Sequence, residues 1–100
     1  MLTEARIGLN ILQLRRARLG LPLENVEAVD AILASIARHY RAQVQQHRPL
    51  PAPPALRQQL DASLQRIGDI AAGKARDEAL IGVLGLRTVL FPATPVQPQL

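Results

Sequence analysis

Two histidines are the residues of this sequence that could bind a metal ion, and they stand eight positions apart. His39 and His47 fall in one predicted helix, where zinc-binding histidines are normally about four residues apart with a further ligand nearby. The chain has no cysteine and no HExxH pattern. We therefore expect no metal site and no cofactor, and we assign His47 to packing or capping at the end of its helix.

The hydroxyl and carboxylate side chains that could act in catalysis also fall inside predicted helices. Ser35 and Ser63 lack the strand and tight turn that expose a nucleophilic serine. Asp61 and Asp69 are eight residues apart on one helix, and nothing pairs them for acid–base chemistry. We therefore expect that the protein is not an enzyme.

One charged residue, Arg87, falls on the apolar face of the last predicted helix. Its neighbours on that face are Leu80, Val83, Leu84, Leu90 and Phe91. Because an unpaired buried guanidinium is costly, Arg87 should have a partner. We predict a buried structural ion pair, with Asp30 as the first candidate partner and Asp61 as the second. Binding of a ligand anion is the alternative role for Arg87.

The composition gives the chain a basic character that suits an anionic partner. Twelve basic and eight acidic residues leave a formal net charge of +4. A basic patch formed by Arg15, Arg16 and Arg18 could contact anionic lipid or nucleic acid. Aromatic residues are only 2% of the chain, which makes nucleic-acid binding unfavourable because stacking rings are missing. We find neither a secretory signal nor an apolar run of the roughly 18 to 20 residues that a membrane span needs.

Prolines divide the sequence into helical segments without any strand-like alternation. The predicted helices cover residues of about 3–18, 23–47, 54–72 and 75–91. Residues 48–54 form a proline-rich connector, and residues 93–100 form a flexible tail. These elements predict one all-α domain over residues 1–92, an antiparallel four-helix bundle built from two helical hairpins. Two glycines in the last helix, Gly82 and Gly85, would let a neighbouring helix approach closely.

The first predicted helix has apolar residues on two opposite sides. One side carries Leu2, Ala5, Leu9 and Leu12, and the other carries Ile7, Ile11 and Leu14. A helix that is apolar on both sides is normally covered on both sides, and a 100-residue domain supplies few covers. We therefore predict that Ile7, Ile11 and Leu14 form an interaction face for a partner outside this chain.

Three segments of the chain resemble, in order, the final cytoplasmic region of the FUSC family. The first is the run Ala5-Arg6-Ile7-Gly8-Leu9-Asn10-Ile11-Leu12-Gln13-Leu14-Arg15-Arg16-Ala17-Arg18, followed by Leu21-Pro22. The second is Ile32-Leu33-Ala34-Ser35-Ile36-Ala37-Arg38-His39-Tyr40-Arg41, followed by the proline-rich connector. The third is the closing Gly85-Leu86-Arg87-Thr88-Val89-Leu90-Phe91-Pro92.

The resemblance implies a module of a larger efflux protein. FUSC proteins are the fusaric acid resistance and aromatic acid exporter-like inner-membrane proteins of Gram-negative bacteria. They export aromatic or related organic acids and work with a periplasmic adaptor. The resemblance therefore implies a non-catalytic helical domain on the cytoplasmic side of the inner membrane, with a role in assembly or regulation. Its partner would be the membrane-spanning remainder of a transporter or a second copy of the chain.

Two alternative functions remain open on the sequence alone. The chain could be a free-standing helical adaptor that self-associates or binds a partner helix through the Ile7, Ile11 and Leu14 face. It could also be a basic module that docks on anionic lipid or nucleic acid through Arg15, Arg16 and Arg18, with contacts that weaken in salt.

Overall fold

Four α-helices make up most of the computed structural model, which describes residues 3–92. The helices are α1 (Thr3–Ala17), α2 (Leu23–Gln46), α3 (Pro54–Gly68) and α4 (Lys74–Leu90), and a 3-10 helix over Arg18–Gly20 follows α1. No strand occurs within the described range. The predicted tail, residues 93–100, lies outside the described residues.

The residues at the helix ends explain where α2 and α3 begin and where α2 ends. Pro22 and Pro53 precede α2 and α3 in extended conformations, and Pro54 occupies the first turn of α3, where no backbone donor is needed. His47 ends α2 in the left-handed conformation with φ 54°, and its N–H donates to the carbonyls of Gln43 and Val44. The position of His47 is therefore that of a helix cap.

The third helix is shorter than the sequence pattern predicts, since it ends at Gly68 and not near residue 72. Glycine is a weak helix former, and the Arg76 guanidinium donates to the free carbonyl oxygen of Gly68 at 3.2 Å. Ile70 is half-buried beyond the helix end, which explains why the apolar pattern continues past it. Gly73, the predicted end of this helix, is the residue that directly precedes α4.

Neighbouring helices run antiparallel around the bundle. Helix α1 packs on α4, α4 on α3, and α3 on α2. In the α1–α4 pair, Leu14 lies against Gly82 and Asn10 against Gly85, so the residue numbers rise along one helix as they fall along the other. In the α3–α4 pair, Arg76 reaches Gly68 and Arg87 reaches Asp61 in the same opposed order. The expectation of an all-α antiparallel helical bundle is confirmed.

Every helix contributes to one apolar core. Its buried residues are Ile7, Leu14, Ala17, Val29, Ile32, Ile36, Leu56, Leu60, Ile67, Ala79, Val83 and Leu86. Burying an aliphatic side chain of this size contributes about 1.5–3 kcal/mol, so the core is the main source of stability. Since α1 supplies three of these residues, it is an integral part of the bundle.

Two glycines make the contact between α1 and α4 unusually close. A Cβ atom at Gly82 would lie 2.9 Å from Cγ of Leu14, and one at Gly85 would lie 2.6 Å from Cγ of Asn10. Gly82 and Gly85 therefore create the space that the α1 side chains occupy. This arrangement agrees with the role that the sequence predicts for the two glycines.

Candidate functional site

The side of α1 that carries Leu9 and Leu12 faces solvent, and the side predicted to face outward is buried. Ile7 and Leu14 are only 4% and 0% exposed, and Ile11 is half-buried against the same core. The prediction that Ile7, Ile11 and Leu14 form an outward interaction face is therefore wrong. The reason is that α4 offers glycines for α1 to pack on, and this contact draws the Leu14 side inward.

Helices α1 and α4 instead present a different set of aliphatic side chains to solvent. Leu9, Leu12, Ile81 and Leu84 are each more than half exposed, at 54%, 56%, 58% and 55%. We call these four residues the α1–α4 face. The sequence pattern places Leu84 on the buried side of its helix, whereas it lies on this outer one.

A shallow groove of about 480 Å³ runs through the α1–α4 face. Leu9 forms one wall, and Ile81 and Leu84 form the other. Arg6 and Asn10 add polar atoms on the α1 side. Leu12 lies one helical turn beyond Leu9, so it extends the apolar surface along α1.

Exposed arginines flank the α1 part of this face. Arg6, Arg15 and Arg16 are exposed, and none of them forms an ion pair with another residue in the described range. Glu4 is the only acidic residue in α1. The basic side chains here therefore remain available to an anionic partner.

The third member of the predicted basic patch, Arg18, is engaged within the protein. Its Nη2 donates to Oδ2 of Asp30 at 2.9 Å, and its side chain is 33% exposed. This pair joins the segment after α1 to α2. The free basic surface consequently comprises Arg15 and Arg16 with Arg6, a residue that the sequence analysis leaves out of the patch.

Arg87 lies at the contact between α3 and α4 and pairs with Asp61. Its Nε donates to Oδ1 of Asp61 at 2.9 Å, and its Nη1 donates to the carbonyl oxygen of Phe91 at 3.1 Å. The guanidinium carbon also lies 5.9 Å from the centre of the Phe91 ring, which is within range of a cation–π interaction.

The first candidate partner for Arg87 is incorrect, because Asp30 accepts from Arg18. Arg87 is also less buried than the sequence analysis expects, since 23% of its side chain is exposed. Its Nη1 donates to the carbonyl oxygen of Phe91, directly after the end of its own helix. The contacts of Arg87 therefore join helices and do not converge on a ligand cleft.

The serines and His39, considered above as catalytic or metal-binding residues, contact neighbouring side chains within the bundle. Ser35 donates to Oε1 of Gln59 at 2.8 Å and accepts from Arg38, so it joins α2 to α3. Ser63 is buried where α3 faces α2. His39 packs edge-on against Tyr40, with ring centres 5.6 Å apart. Among residues 3–92, no three His, Cys, Asp or Glu side chains come close enough to share a metal ion.

The surroundings of Tyr40 change the acidity of its hydroxyl. Burial raises the pKa of its hydroxyl above the ordinary value of 10.0, and the nearby Glu4 carboxylate raises it further. Glu4, in the first turn of α1, therefore lies near Tyr40 in the second half of α2. A neutral Tyr40 at physiological pH serves packing and gives no catalytic base.

Comparison with known proteins assigns the chain to a class of transport-related proteins. The model of the fusaric acid resistance protein family (FUSC) matches residues 1–96. The chain belongs to this family, as its resemblance to FUSC proteins predicts. No curated protein and no solved structure is significantly similar to the chain.

Membership places the chain in the context of a membrane exporter. Proteins of this family are membrane-associated and related to transport, and they are not typically enzymes. Within residues 3–92, no helix combines the length and the apolar character needed to cross a bilayer.

Proposed function

We propose that this chain is a non-catalytic helical domain on the cytoplasmic side of an inner-membrane exporter of aromatic or related organic acids. Its role is in the assembly or regulation of the exporter. The observation that carries the proposal is the family match, which covers residues 1–96.

The surroundings of the polar side chains support a structural role over a catalytic one. Two partly buried arginines, Arg18 and Arg87, form ion pairs that join helices. Four exposed aliphatic side chains lie outside the core, on the α1–α4 face. A domain of this kind contributes binding surface to a larger assembly.

Removal of the domain from the host bacterium tests the proposed role. The codons for residues 3–92 are deleted in frame, and accumulation of radiolabelled aromatic acids is measured in the deletion strain. We expect higher accumulation and poorer growth in the presence of these acids, because the exporter assembles or switches incorrectly. Unchanged accumulation together with unchanged growth would contradict the role.

Two variants of the chain, each reintroduced into the deletion strain, test whether export needs the folded domain. Supplying the chain with Gln58→Glu, an exposed change in α3, should restore export. Supplying it with Leu60→Asp should not, because Leu60 is fully buried and a charge there unfolds the core. Equal restoration by both variants would show that the folded domain is not required.

Protease accessibility tests the proposed side of the membrane. We expect an epitope-tagged chain to be digested in inverted inner-membrane vesicles and protected in intact spheroplasts. Digestion in spheroplasts alone would place the domain on the periplasmic side and overturn the proposed location.

The alternative of a self-associating adaptor loses the feature that motivated it. Ile7 and Leu14 belong to the core and are not available to a partner. Self-association would have to use the α1–α4 face, where Arg6, Arg15 and Arg16 of two copies would come together. Like charges at such a contact are unfavourable, so we place the exporter domain ahead of the adaptor.

A further inference from the structure

The α1–α4 face combines aliphatic and basic side chains in the arrangement found on proteins that lie on lipid. Leu9, Leu12, Ile81 and Leu84 are exposed together on the outer side of two adjacent helices. Scattered single apolar residues on a surface need no explanation, but Leu9, Ile81 and Leu84 line a common groove and therefore do.

We propose that this face rests on the surface of an anionic lipid bilayer. The four aliphatic side chains enter the boundary between headgroups and acyl chains, and α1 lies in the plane of the membrane. Arg6, Arg15 and Arg16 extend to the lipid phosphates, with their aliphatic stems along the apolar surface.

The charges around the face select an anionic partner. On an ideal helix of 100° per residue, Leu9 and Leu12 lie side by side, with Arg6 on one flank and Arg15 on the other. Arg16 lies one turn after Leu12 on the same side of the helix. The acidic residues nearest to the α4 part are Asp77 and Glu78. Asp77 is already paired with Arg76 at 3.2 Å.

Two other occupants fit this face less well. A second copy would bring like-charged arginines together around the leucines. A nucleic acid would leave four aliphatic side chains against a polar backbone, and no aromatic ring lines the groove for base stacking. A bilayer with anionic headgroups satisfies the apolar and the basic parts of the face together.

This inference rests on the proposed function for the presence of a membrane, but the two can fail separately. The lipid contact concerns the purified chain and vesicles of pure lipid. The proposed function concerns export by cells. A chain that binds no vesicles but still supports export would overturn the lipid contact alone. A chain that binds anionic vesicles but does not support export would overturn the proposed function alone.

Co-sedimentation with vesicles tests the contact directly. The full chain is mixed with vesicles of phosphatidylglycerol and phosphatidylcholine in equal amounts, or with vesicles of phosphatidylcholine alone. We expect binding to the anionic vesicles, weaker binding to the neutral ones, and loss of the difference as salt is raised. No binding to anionic vesicles, or equal binding to both kinds in low salt, would overturn the proposal.

Charge variants with matched controls locate the contact on α1. The double variant Arg15→Gln with Arg16→Gln should lower the partition coefficient about twenty-five-fold, since each arginine near an anionic surface contributes a factor of about five. The control pair Arg41→Gln with Arg48→Gln removes the same charge from exposed positions in the second half of α2 and just after its end. An equal loss in both pairs would show that net charge alone governs binding, and the proposed face would be wrong.

Aliphatic variants separate a lipid contact from a purely electrostatic one. Leu12→Glu with Ile81→Glu should abolish binding, whereas Leu23→Glu with Val44→Glu should retain most of it, because the latter two residues are exposed elsewhere. Circular dichroism checks that all variants remain folded. If the variant with Leu12→Glu and Ile81→Glu still binds vesicles, the face does not insert into lipid. If the unmodified chain binds an acidic polypeptide but no vesicles, its partner is not a bilayer.

Discussion

At the scale of single residues, two arginine side chains of this protein join helices to one another. Arg87 reaches Asp61 on α3 and the Phe91 carbonyl at the end of its own helix. Arg18 makes the corresponding connection to Asp30 on α2. These pairs are partly exposed, so each contributes modestly to stability, and their main effect is to fix which helix faces align.

The Arg87–Asp61 pair should show a small but measurable coupling. Because the Asp61 side chain is 51% exposed, Asp61→Asn should lower the free energy of unfolding by about 0.5–1 kcal/mol. A double-mutant cycle with Arg87→Gln, measured by urea denaturation, gives the coupling of the pair. Zero coupling would show that the pair adds nothing to stability, and a coupling above about 3 kcal/mol would require a far more buried pair than the one seen.

The single tyrosine of the chain provides a test of how near Glu4, at the start of α1, lies to Tyr40 on α2. Absorbance at alkaline pH should report a Tyr40 pKa above 10.0 in the folded protein, and Glu4→Gln should lower it partway. Since the pKa is raised on folding, the associated stability is present below pH 10 and lost as the pH rises through the folded pKa. Tyr40→Phe should remove this alkaline loss of stability. A folded midpoint equal to that in denaturant would contradict the packing of Tyr40.

At the scale of helices, the contact between α1 and α4 determines which surface faces outward. Gly82 and Gly85 allow Leu14 and Asn10 to approach the α4 backbone. Once Leu14 is in the core, the opposite side of α1, with Leu9 and Leu12, must face away from it. The groove, the exposed leucines and the available arginines all follow from this orientation.

Matched glycine substitutions should have opposite effects on stability. Gly85→Ala places a methyl group against the Asn10 amide and should destabilise the protein by about 1–3 kcal/mol. Gly8→Ala, on the exposed side of α1 with open space around it, should stabilise it by about 0.5–1 kcal/mol. Thermal denaturation measures both changes.

A second substitution tests whether the overlap with Asn10 causes the loss. Asn10→Ala combined with Gly85→Ala should recover stability relative to Gly85→Ala alone, because the overlapping amide is gone. If Gly85→Ala is as well tolerated as Gly8→Ala, the close contact between α1 and α4 does not exist as described.

The same contact explains what the sequence can and cannot predict about this protein. Proline positions and apolar periodicity are local signals, and they predict the helices and the antiparallel bundle. The choice between the two apolar sides of α1 depends on α4, about 70 residues further along the chain, and the helix periodicity of α1 alone does not contain it. For the same reason the pattern names both candidate partners of Arg87 but ranks them in the wrong order, since the correct order depends on how α2 and α3 align with α4.

At the scale of the whole molecule, the bundle separates a buried core from one apolar and basic outer face. The core draws on all four helices, so the fold of the described residues holds α1 and α4 side by side. That arrangement turns two short aliphatic stretches into one surface bordered by arginines. Family membership supplies the membrane context in which such a surface has a use.

A polarity-sensitive fluorophore at single cysteines measures most directly which surface of the molecule meets the membrane. The chain has no native cysteine, so Leu12→Cys, Ile81→Cys and the control Gln45→Cys can each be labelled at one site. With inner-membrane vesicles from the host, we expect a blue-shifted, brighter signal at positions 12 and 81 and none at exposed position 45 on α2. An unchanged signal at 12 and 81, or an equal shift at 45, would contradict the outward α1–α4 face as the membrane-facing side.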